Sequence, residues 1–122
     1  MSPGGIRSFR DLIVWRKAFA LCLEIYLVTE KLPGHERFGL SAELRKTARS
    51  VVYNIAEGQR RGRTLEFRRF LDISRGSAGE LSTQVQLCSA LGYIQQAPSE
   101  ALLQKVDEVE RLLAGLKRSL PS

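Results

Sequence analysis

Residues 11–31 carry the most unusual hydrophobic pattern of the chain. At about 100° per residue they form one helix with two apolar stripes about 120° apart. The first stripe contains Leu12, Trp15, Phe19, Cys22 and Tyr26, and the second contains Val14, Ala18, Leu21, Ile25 and Val28. Because a helix that is apolar on two faces must be covered on both, we expect its own bundle to bury one stripe. The other is expected to meet another subunit or to lie under the loop of residues 32–40.

A second helix is predicted after the Leu32-Pro33-Gly34 stop. Ser41 is its expected N-cap, Glu43 lies in its first turn, and Gly58 and Gly62 mark its end. Apolar residues recur with helical spacing along one face, which we expect to be buried. That face consists of Leu40, Leu44, Ala48, Val51, Val52 and Ile55.

A long third helix and a fourth helix follow. Thr64 is the expected cap of the third, Gly92 its end, and Pro98-Ser99-Glu100 the start of the fourth. The core stripe of the third helix contains Phe67, Phe70, Leu71, Ser74, Ala78, Leu81, Val85 and Cys88. The fourth carries a heptad seam of Leu102, Val106, Val109, Leu113, Leu116 and Leu120.

Four amphipathic helices with short connections predict an all-α fold, an antiparallel up-down four-helix bundle. We expect a single domain over residues 9–120, preceded by a flexible tail of residues 1–8. The third helix contains a run of small residues from Ser74 to Gly79. Since each mid-helix glycine costs about 1 kcal/mol relative to alanine, a neighbouring helix is expected to approach closely there, with local flexibility as the alternative.

Composition agrees with a helical globular domain. The chain has 122 residues, of which 43% are hydrophobic and 26% charged, and no proline occurs between positions 34 and 97. Its two cysteines, Cys22 and Cys88, are expected to be reduced core thiols, with a disulfide as the less favoured alternative. The apolar run of residues 18–28 is too short to span a bilayer and lacks a signal-peptide cleavage site. We therefore expect a cytoplasmic protein that does not contact the membrane.

Catalytic chemistry is not indicated by any constellation of residues. His35 is the single histidine, and the two cysteines sit in apolar helical patterns, so Cys and His cannot form a zinc site. Acidic residues occur singly along polar helix faces. We therefore predict no catalytic residue, no metal site and no cofactor.

The charge distribution favours a polyanionic partner. The formal net charge is +6, and residues 45–75 contain nine basic side chains, eight of them arginine, which binds phosphate bidentately. Contact with the backbone of RNA or DNA is the favoured interpretation, and Tyr53 is the main candidate for base stacking. The alternatives are a solvated basic face or arginines paired with acids across a subunit boundary. The predicted nucleic-acid-binding residues are Arg45, Lys46, Arg49, Arg60, Arg61, Arg63, Arg68 and Arg69.

Several motifs together point to a known family. They are Phe9-x-x-Leu12-x-x-Trp15-x-x-Ala18, Leu44-Arg45-x-x-Ala48-x-Ser50, Asn54-Ile55-Ala56-Glu57-Gly58, Glu66-Phe67-x-x-Phe70-Leu71 and Gly76-Ser77-x-x-Glu80-Leu81. Over residues 9–118 the chain resembles the four-helix bundle proteins encoded in intervening sequences of bacterial 23S rRNA genes. This group includes the accessory variability determinants of diversity-generating retroelements.

The resemblance implies a homo-oligomer, a pentameric barrel of bundles. For the retroelement members it also implies a non-enzymatic partner of a reverse transcriptase that binds nucleic acid. For the rRNA-encoded members the role is unsettled, so the alternative is a structural protein–protein adaptor without nucleic-acid binding. The shared motifs resemble fold determinants, and no catalytic residue is carried over from them.

Overall fold

The computed structural model of the chain describes residues 8–121. Within that range all regular secondary structure is helical, and the four long helices are α1 (Ile13–Thr29), α2 (Leu40–Arg61), α3 (Thr64–Ala90) and α4 (Gln96–Ser119). Two short 3₁₀ turns, Phe9–Asp11 and Gly34–Glu36, precede α1 and α2. The expected tail, residues 1–8, lies outside the described residues except for Ser8, which caps the first turn.

The helices pack in a ring in which each contacts mainly its two neighbours, so α1 and α3 lie at opposite corners. The most extensive packing joins α2 to α3, because only two residues connect them and force an antiparallel pair. None of the helices described combines the length and apolar character needed to cross a membrane. The predicted all-α four-helix fold is confirmed.

The predicted core faces of α2, α3 and α4 are the ones that the structure buries. All six apolar residues predicted for α2 are buried, as are Leu71, Ser74, Ala78, Leu81, Val85 and Cys88 in α3. The other two members of the predicted α3 stripe, Phe67 and Phe70, are half-buried. In α4 the heptad seam is buried from Leu102 to Leu113, while Leu116 and Leu120 pack at its edge. The 3.5- to 3.6-residue period of the sequence thus identified the interior.

The two stripes of α1 have different environments. Val14, Ala18, Leu21 and Ile25 form the bundle core, and Ile25 has no exposed surface. Trp15, Cys22 and Tyr26 of the other stripe are half-buried at its flank, whereas Phe19 is exposed. The open question of which stripe the bundle covers is therefore answered in favour of the second.

Several predicted helix ends were wrong by one or two residues. Helix α1 begins at Ile13 because Leu12 is extended and separates it from the first turn. Helix α2 begins at Leu40, so Ser41 is not its cap; Ser41 is buried and its hydroxyl donates to the carbonyl oxygen of Thr29 (3.5 Å). Helix α3 begins at Thr64, with Arg63 as N-cap residue.

Helix α4 begins at Gln96, two residues before the predicted start. Pro98 is its third residue, where its missing N–H leaves no helical hydrogen bond broken. Of the two glycines expected to end α2, Gly62 does so, with φ of +73°. Gly58 does not: it is buried inside the helix, where a Cβ would lie 2.7 Å from Cβ of Phe70.

Small residues of α3 face α2 at two points. The Ser74 hydroxyl donates to the carbonyl oxygen of Val51 (2.8 Å), and the hydroxyls of Ser77 and Ser50 are hydrogen-bonded (2.7 Å). Gly76 is exposed, and a Cβ added there would meet no atom within 4 Å. Close approach of α2 therefore explains the small residues Ser74 and Ser77. It does not explain Gly76, because no atom of the described chain lies near enough to require a glycine there.

A carboxylate from the loop caps α2. One oxygen of Glu36 accepts the backbone N–H of Leu40 (3.1 Å), and its other oxygen accepts the hydroxyl of Tyr93 (3.0 Å). These two hydrogen bonds, the backbone one first, hold the pKa of Glu36 below its ordinary value. Nε2 of His35 lies 3.1 Å from the same hydroxyl. This network ties the α1–α2 loop to the turn that follows α3.

Candidate nucleic-acid interface

Segments that are far apart in sequence meet at one end of the bundle. Antiparallel packing brings residues 8–17, 57–72 and 116–121 together, and we call this the basic end. Its acidic residues are Asp11, Glu57, Glu66 and Asp72. Its basic residues are Arg10, Arg16, Lys17, Arg60, Arg61, Arg63, Arg68, Arg69, Lys117 and Arg118.

The opposite end of the bundle has the reverse balance. It consists of residues 30–43 and 91–100 and contains the acids Glu30, Glu36, Glu43 and Glu100 against the bases Lys31 and Arg37, beside His35. The positive charge is therefore concentrated at one end of the bundle axis.

Arg45 and Arg49 lie away from the basic end, on the side of α2 that faces α1. Nη1 of Arg49 donates to the hydroxyl of Tyr26 (2.7 Å), a bond that raises the pKa of Arg49. The guanidinium of Arg45 lies 4.8 Å from the centre of the Tyr26 ring, and its Nε donates to Oγ1 of Thr29 (2.7 Å). Both arginines are half-buried and contribute to α1–α2 packing.

Arg61 and Arg68, at the basic end, also have internal partners. Arg61 Nε pairs with Glu57 (2.8 Å), and Arg61 Nη1 lies 3.8 Å from Glu66. Nη2 of Arg68 donates to the carbonyl oxygen of Leu120 (2.8 Å), while its buried Nε has no partner among the described residues. Arg68 thereby attaches the end of α4 to the start of α3.

Arg69 keeps its charge in solvent. It is exposed, and its guanidinium lies 5.5 Å from the centre of the Phe70 ring, which also contacts Arg61. No carboxylate pairs with Arg69 within residues 8–121.

Lys46, Arg60 and Arg63 are the most available of the predicted residues. All three are exposed, and over the described part of the chain none has an ion pair or a side-chain hydrogen bond. Gly62 places Arg60 and Arg63 on either side of the α2–α3 turn through its left-handed conformation. Lys46 is about 20 Å away from Arg60 along α2, at 1.5 Å per residue. The structure therefore brings Arg60 and Arg63 together and leaves Lys46 apart.

Arg10 also belongs to this surface, although it is not among the residues predicted from the sequence. It lines an open cavity beside Arg60, between the first 3₁₀ turn and the end of α2. The turn is fixed by a capping box, in which Ser8 Oγ accepts the N–H of Arg10 and Asp11 accepts the N–H of Ser8. The spacing Ser8-x-x-Asp11 was the sequence signal for it.

Tyr53 is the exposed aromatic residue of α2 and lies between Lys46 and Arg60 on its outer face. It is 62% exposed, so its ring is open to solvent.

Both cysteines are free, and burial raises the pKa of Cys88 and of half-buried Cys22. No three His, Cys, Asp or Glu side chains are grouped to hold a metal ion in residues 8–121.

Two apolar surfaces remain uncovered at opposite corners of the bundle. On α1, Phe19, Leu23 and Leu27 follow one another at intervals of one turn, and Leu23 and Leu27 are 55% and 61% exposed. On α3 the large exposed apolar residues are Leu65, Ile73 and Leu87, and Leu91 follows at the C-cap. Contiguous exposed apolar patches are a common feature of protein interaction surfaces.

Comparisons with known proteins agree with the fold. The sequence matches the family described as 23S rRNA-intervening sequence protein over residues 10–115. A crystal structure of a protein of unknown function from the S23 ribosomal protein family of Bacteroides thetaiotaomicron is similar, with a TM-score of 0.83 and 21% identity. The similarity covers 90% of this chain and 99% of that one. No curated protein matches the sequence.

Proposed function

The chain belongs to the 23S rRNA-intervening sequence protein family, and from this premise we propose that it is a non-enzymatic, cytoplasmic nucleic-acid-binding protein that acts as a homo-oligomer. The basic end is the proposed contact surface. The observation that carries this proposal is the exposure of Arg60 and Arg63, without partners among residues 8–121, at an end where basic residues outnumber acidic ones.

The proposed binding is directed at the phosphate backbone. Arginine provides a planar set of donors that matches a phosphate group. Only Tyr53 among the exposed aromatic residues lies beside the predicted basic residues of α2, so base stacking makes a small contribution. Such binding is weakly sequence-specific and strongly dependent on salt.

The oligomer is proposed to form through the uncovered faces of α1 and α3. These faces differ from each other and lie at opposite corners, so their pairing between copies is head-to-tail, the arrangement that closes into a ring. The resemblance to accessory variability determinants supports five copies. A ring repeats the basic end several times and increases avidity for a long polyanion.

A reverse transcriptase is the proposed protein partner, on the strength of the same resemblance. Genomic context separates the two branches of the family: an adjacent reverse-transcriptase gene with a template repeat favours the retroelement role. Location inside a 23S rRNA gene favours the other branch.

The test is a salt titration of binding to a structured RNA with single-stranded loops. Wild-type protein is compared with Arg60→Ala/Arg63→Ala and with Arg37→Ala/Arg111→Ala, which removes two charges outside the basic end. Log affinity of the wild type should fall against log salt with a slope of about −0.7 per phosphate neutralised on single strands. In the first variant only, the slope should become shallower by the equivalent of roughly one to two phosphate contacts.

A structural adaptor that binds only protein is the second candidate. The exposed apolar face of α1 and the internal partners of Arg45, Arg49 and Arg61 favour it. Absence of RNA binding by the wild type even at low salt would overturn the nucleic-acid proposal and leave the adaptor role.

A further inference from the structure

An open cavity of about 620 Å³ lies between the first 3₁₀ turn and the last turn of α2. Ser8, Phe9, Arg10, Gln59 and Arg60 line it. Its volume falls in the range of small-molecule sites, about 300–1,000 Å³. Two arginines from distant parts of the sequence therefore face one space.

The polar side chains of this cavity are all able to donate hydrogen bonds. Oγ of Ser8 accepts the N–H of Arg10 (3.2 Å), which leaves its own proton to donate. The side chains of Arg10, Gln59 and Arg60 make no hydrogen bond or ion pair with any residue from 8 to 121. A ligand that accepts hydrogen bonds and carries negative charge would satisfy this set.

Asp11, the carboxylate that follows Arg10 in the chain, does not line the cavity. One of its oxygens accepts the N–H of Ser8 (3.1 Å), and the other lies 4.0 Å from Nη2 of Arg16. Its charge is therefore partly neutralised by its own contacts, and Arg10 and Arg60 determine the sign of the field in the cavity.

The cavity wall formed by the first 3₁₀ turn is held in place by several contacts. The capping box fixes the turn, and Nε of Arg16 donates to the carbonyl oxygen of Arg10 (2.9 Å), which attaches the turn to α1. The Phe9 ring packs 5.3 Å from the Trp15 ring and 4.6 Å from the guanidinium of Arg10. The Phe9 ring already contacts Trp15 and the Arg10 guanidinium, so it is not free to stack on a nucleic-acid base. The cavity therefore favours an anionic group without an aromatic base.

We propose that this cavity is a phosphate-binding site in which Arg10 and Arg60 hold the anion and Ser8 and Gln59 complete its hydrogen bonds. This discrete site goes beyond the proposed function, because Ser8, Arg10 and Gln59 are not among the predicted nucleic-acid-binding residues and only Arg60 is. The phosphate is either free or part of a nucleic acid, where the site would take a terminal phosphomonoester or an internal phosphodiester.

The first experiment measures binding of inorganic phosphate to the full chain by calorimetry at constant ionic strength. Arg10→Gln and Arg60→Gln each remove one charge from the cavity, and Arg37→Gln removes one charge at the opposite end. Wild type and Arg37→Gln should bind with the same affinity. Each cavity variant should bind about tenfold more weakly or worse, since a charge-assisted hydrogen bond is lost.

Arg60→Lys provides a second test that keeps the charge. It should restore part of the affinity lost in Arg60→Gln, since lysine retains the charge but not the fork of donors. The site would be overturned if wild-type protein shows no phosphate binding. Equal weakening in Arg37→Gln, or no weakening in either cavity variant, would also overturn it.

Two oligonucleotides of one sequence, with a 5′-phosphate or a 5′-hydroxyl, identify the source of the phosphate. A terminal phosphomonoester predicts preference for the first and its loss in Arg10→Gln. An internal phosphodiester predicts equal binding of both and equal weakening. Binding of inorganic phosphate without binding of either oligonucleotide supports the cavity site and removes the nucleic-acid function, so the two proposals fail separately.

Discussion

Ser74 of α3 donates a hydrogen bond to the carbonyl oxygen of Val51 in α2 across 2.8 Å, and both residues are buried. Ser74→Ala removes this link while the Val51 carbonyl keeps its helical bond, so stability should fall by about 0.5–1.5 kcal/mol. Urea unfolding measures the change. Thr83→Ala is the control, because the Thr83 hydroxyl is exposed and bonds only within α3. Equal stability of the Ser74→Ala and wild-type proteins would contradict the prediction.

Replacement by alanine should have opposite effects on stability at Gly58 of α2 and Gly76 of α3. At Gly58 a Cβ would lie 2.7 Å from Cβ of Phe70 and 3.0 Å from Cδ1 of Phe67. In Gly58→Ala the cost of overpacking, about 1–3 kcal/mol, should therefore exceed the gain in helix propensity, about 1 kcal/mol. The variant should be less stable than the wild type.

Gly76→Ala meets open space, so only the propensity gain should remain there and the protein should become more stable. Thermal unfolding of both variants tests the pair. Changes of the same sign in the two variants would show that contact with Phe70 does not govern Gly58.

Acid should weaken the cap of α2. The pKa of Glu36 is lowered in the folded state by the N–H of Leu40 and the hydroxyl of Tyr93. Its stabilising contribution is thus complete above the unfolded pKa of about 4.3. It is lost as the pH falls through the lower folded value.

Glu36→Gln should reduce stability at pH 7 and make it less dependent on pH as the pH falls below about 4.3, the unfolded pKa. Urea midpoints across that range measure the effect. Glu80→Gln, an exposed change in α3, is the control. A Glu36→Gln curve parallel to that of the wild type would rule out this role for the carboxylate.

The faces of α1 predict different outcomes for charge insertion. Leu23→Glu places a carboxylate on the uncovered face of α1, so it should dissociate the proposed oligomer and leave each chain folded. Ile25→Glu buries a charge in the core and should unfold the chain itself. Sedimentation gives the mass and circular dichroism the helicity. A wild-type mass of one 13.7 kDa chain would refute the oligomer.

The interior was predictable because helical periodicity reports directly which side of a helix is buried. Val51 and Ile55 in α2 and Leu81 and Val85 in α3 were assigned to the core from spacing alone, and the structure buries all four. The N-cap of α2 was not predictable in the same way. Ser41 has the right chemistry for an N-cap. However, the 3₁₀ turn Gly34–Glu36 places the carboxylate of Glu36 beside the N–H of Leu40, the first residue of α2.

The eight predicted basic residues show the limit more clearly. Their charge and clustering were visible in the sequence. Their partners were not, because Arg49 is bonded to Tyr26 of α1 and Arg68 to Leu120 just after α4, which lie 23 and 52 residues away in the chain. A solvated arginine and a packed one have the same letter in the sequence, and only the contacts distinguish Arg60 from Arg49.

The sequence by itself determined four amphipathic helices, their buried faces and an excess of positive charge, since these depend on local spacing and composition. The tertiary structure decided where the charge acts. Antiparallel packing brings Arg10 beside Arg60 and gathers basic residues at one end, although 50 positions separate the two in the chain. A surface made from several segments exists only after folding, because its members are neighbours in space and not in sequence.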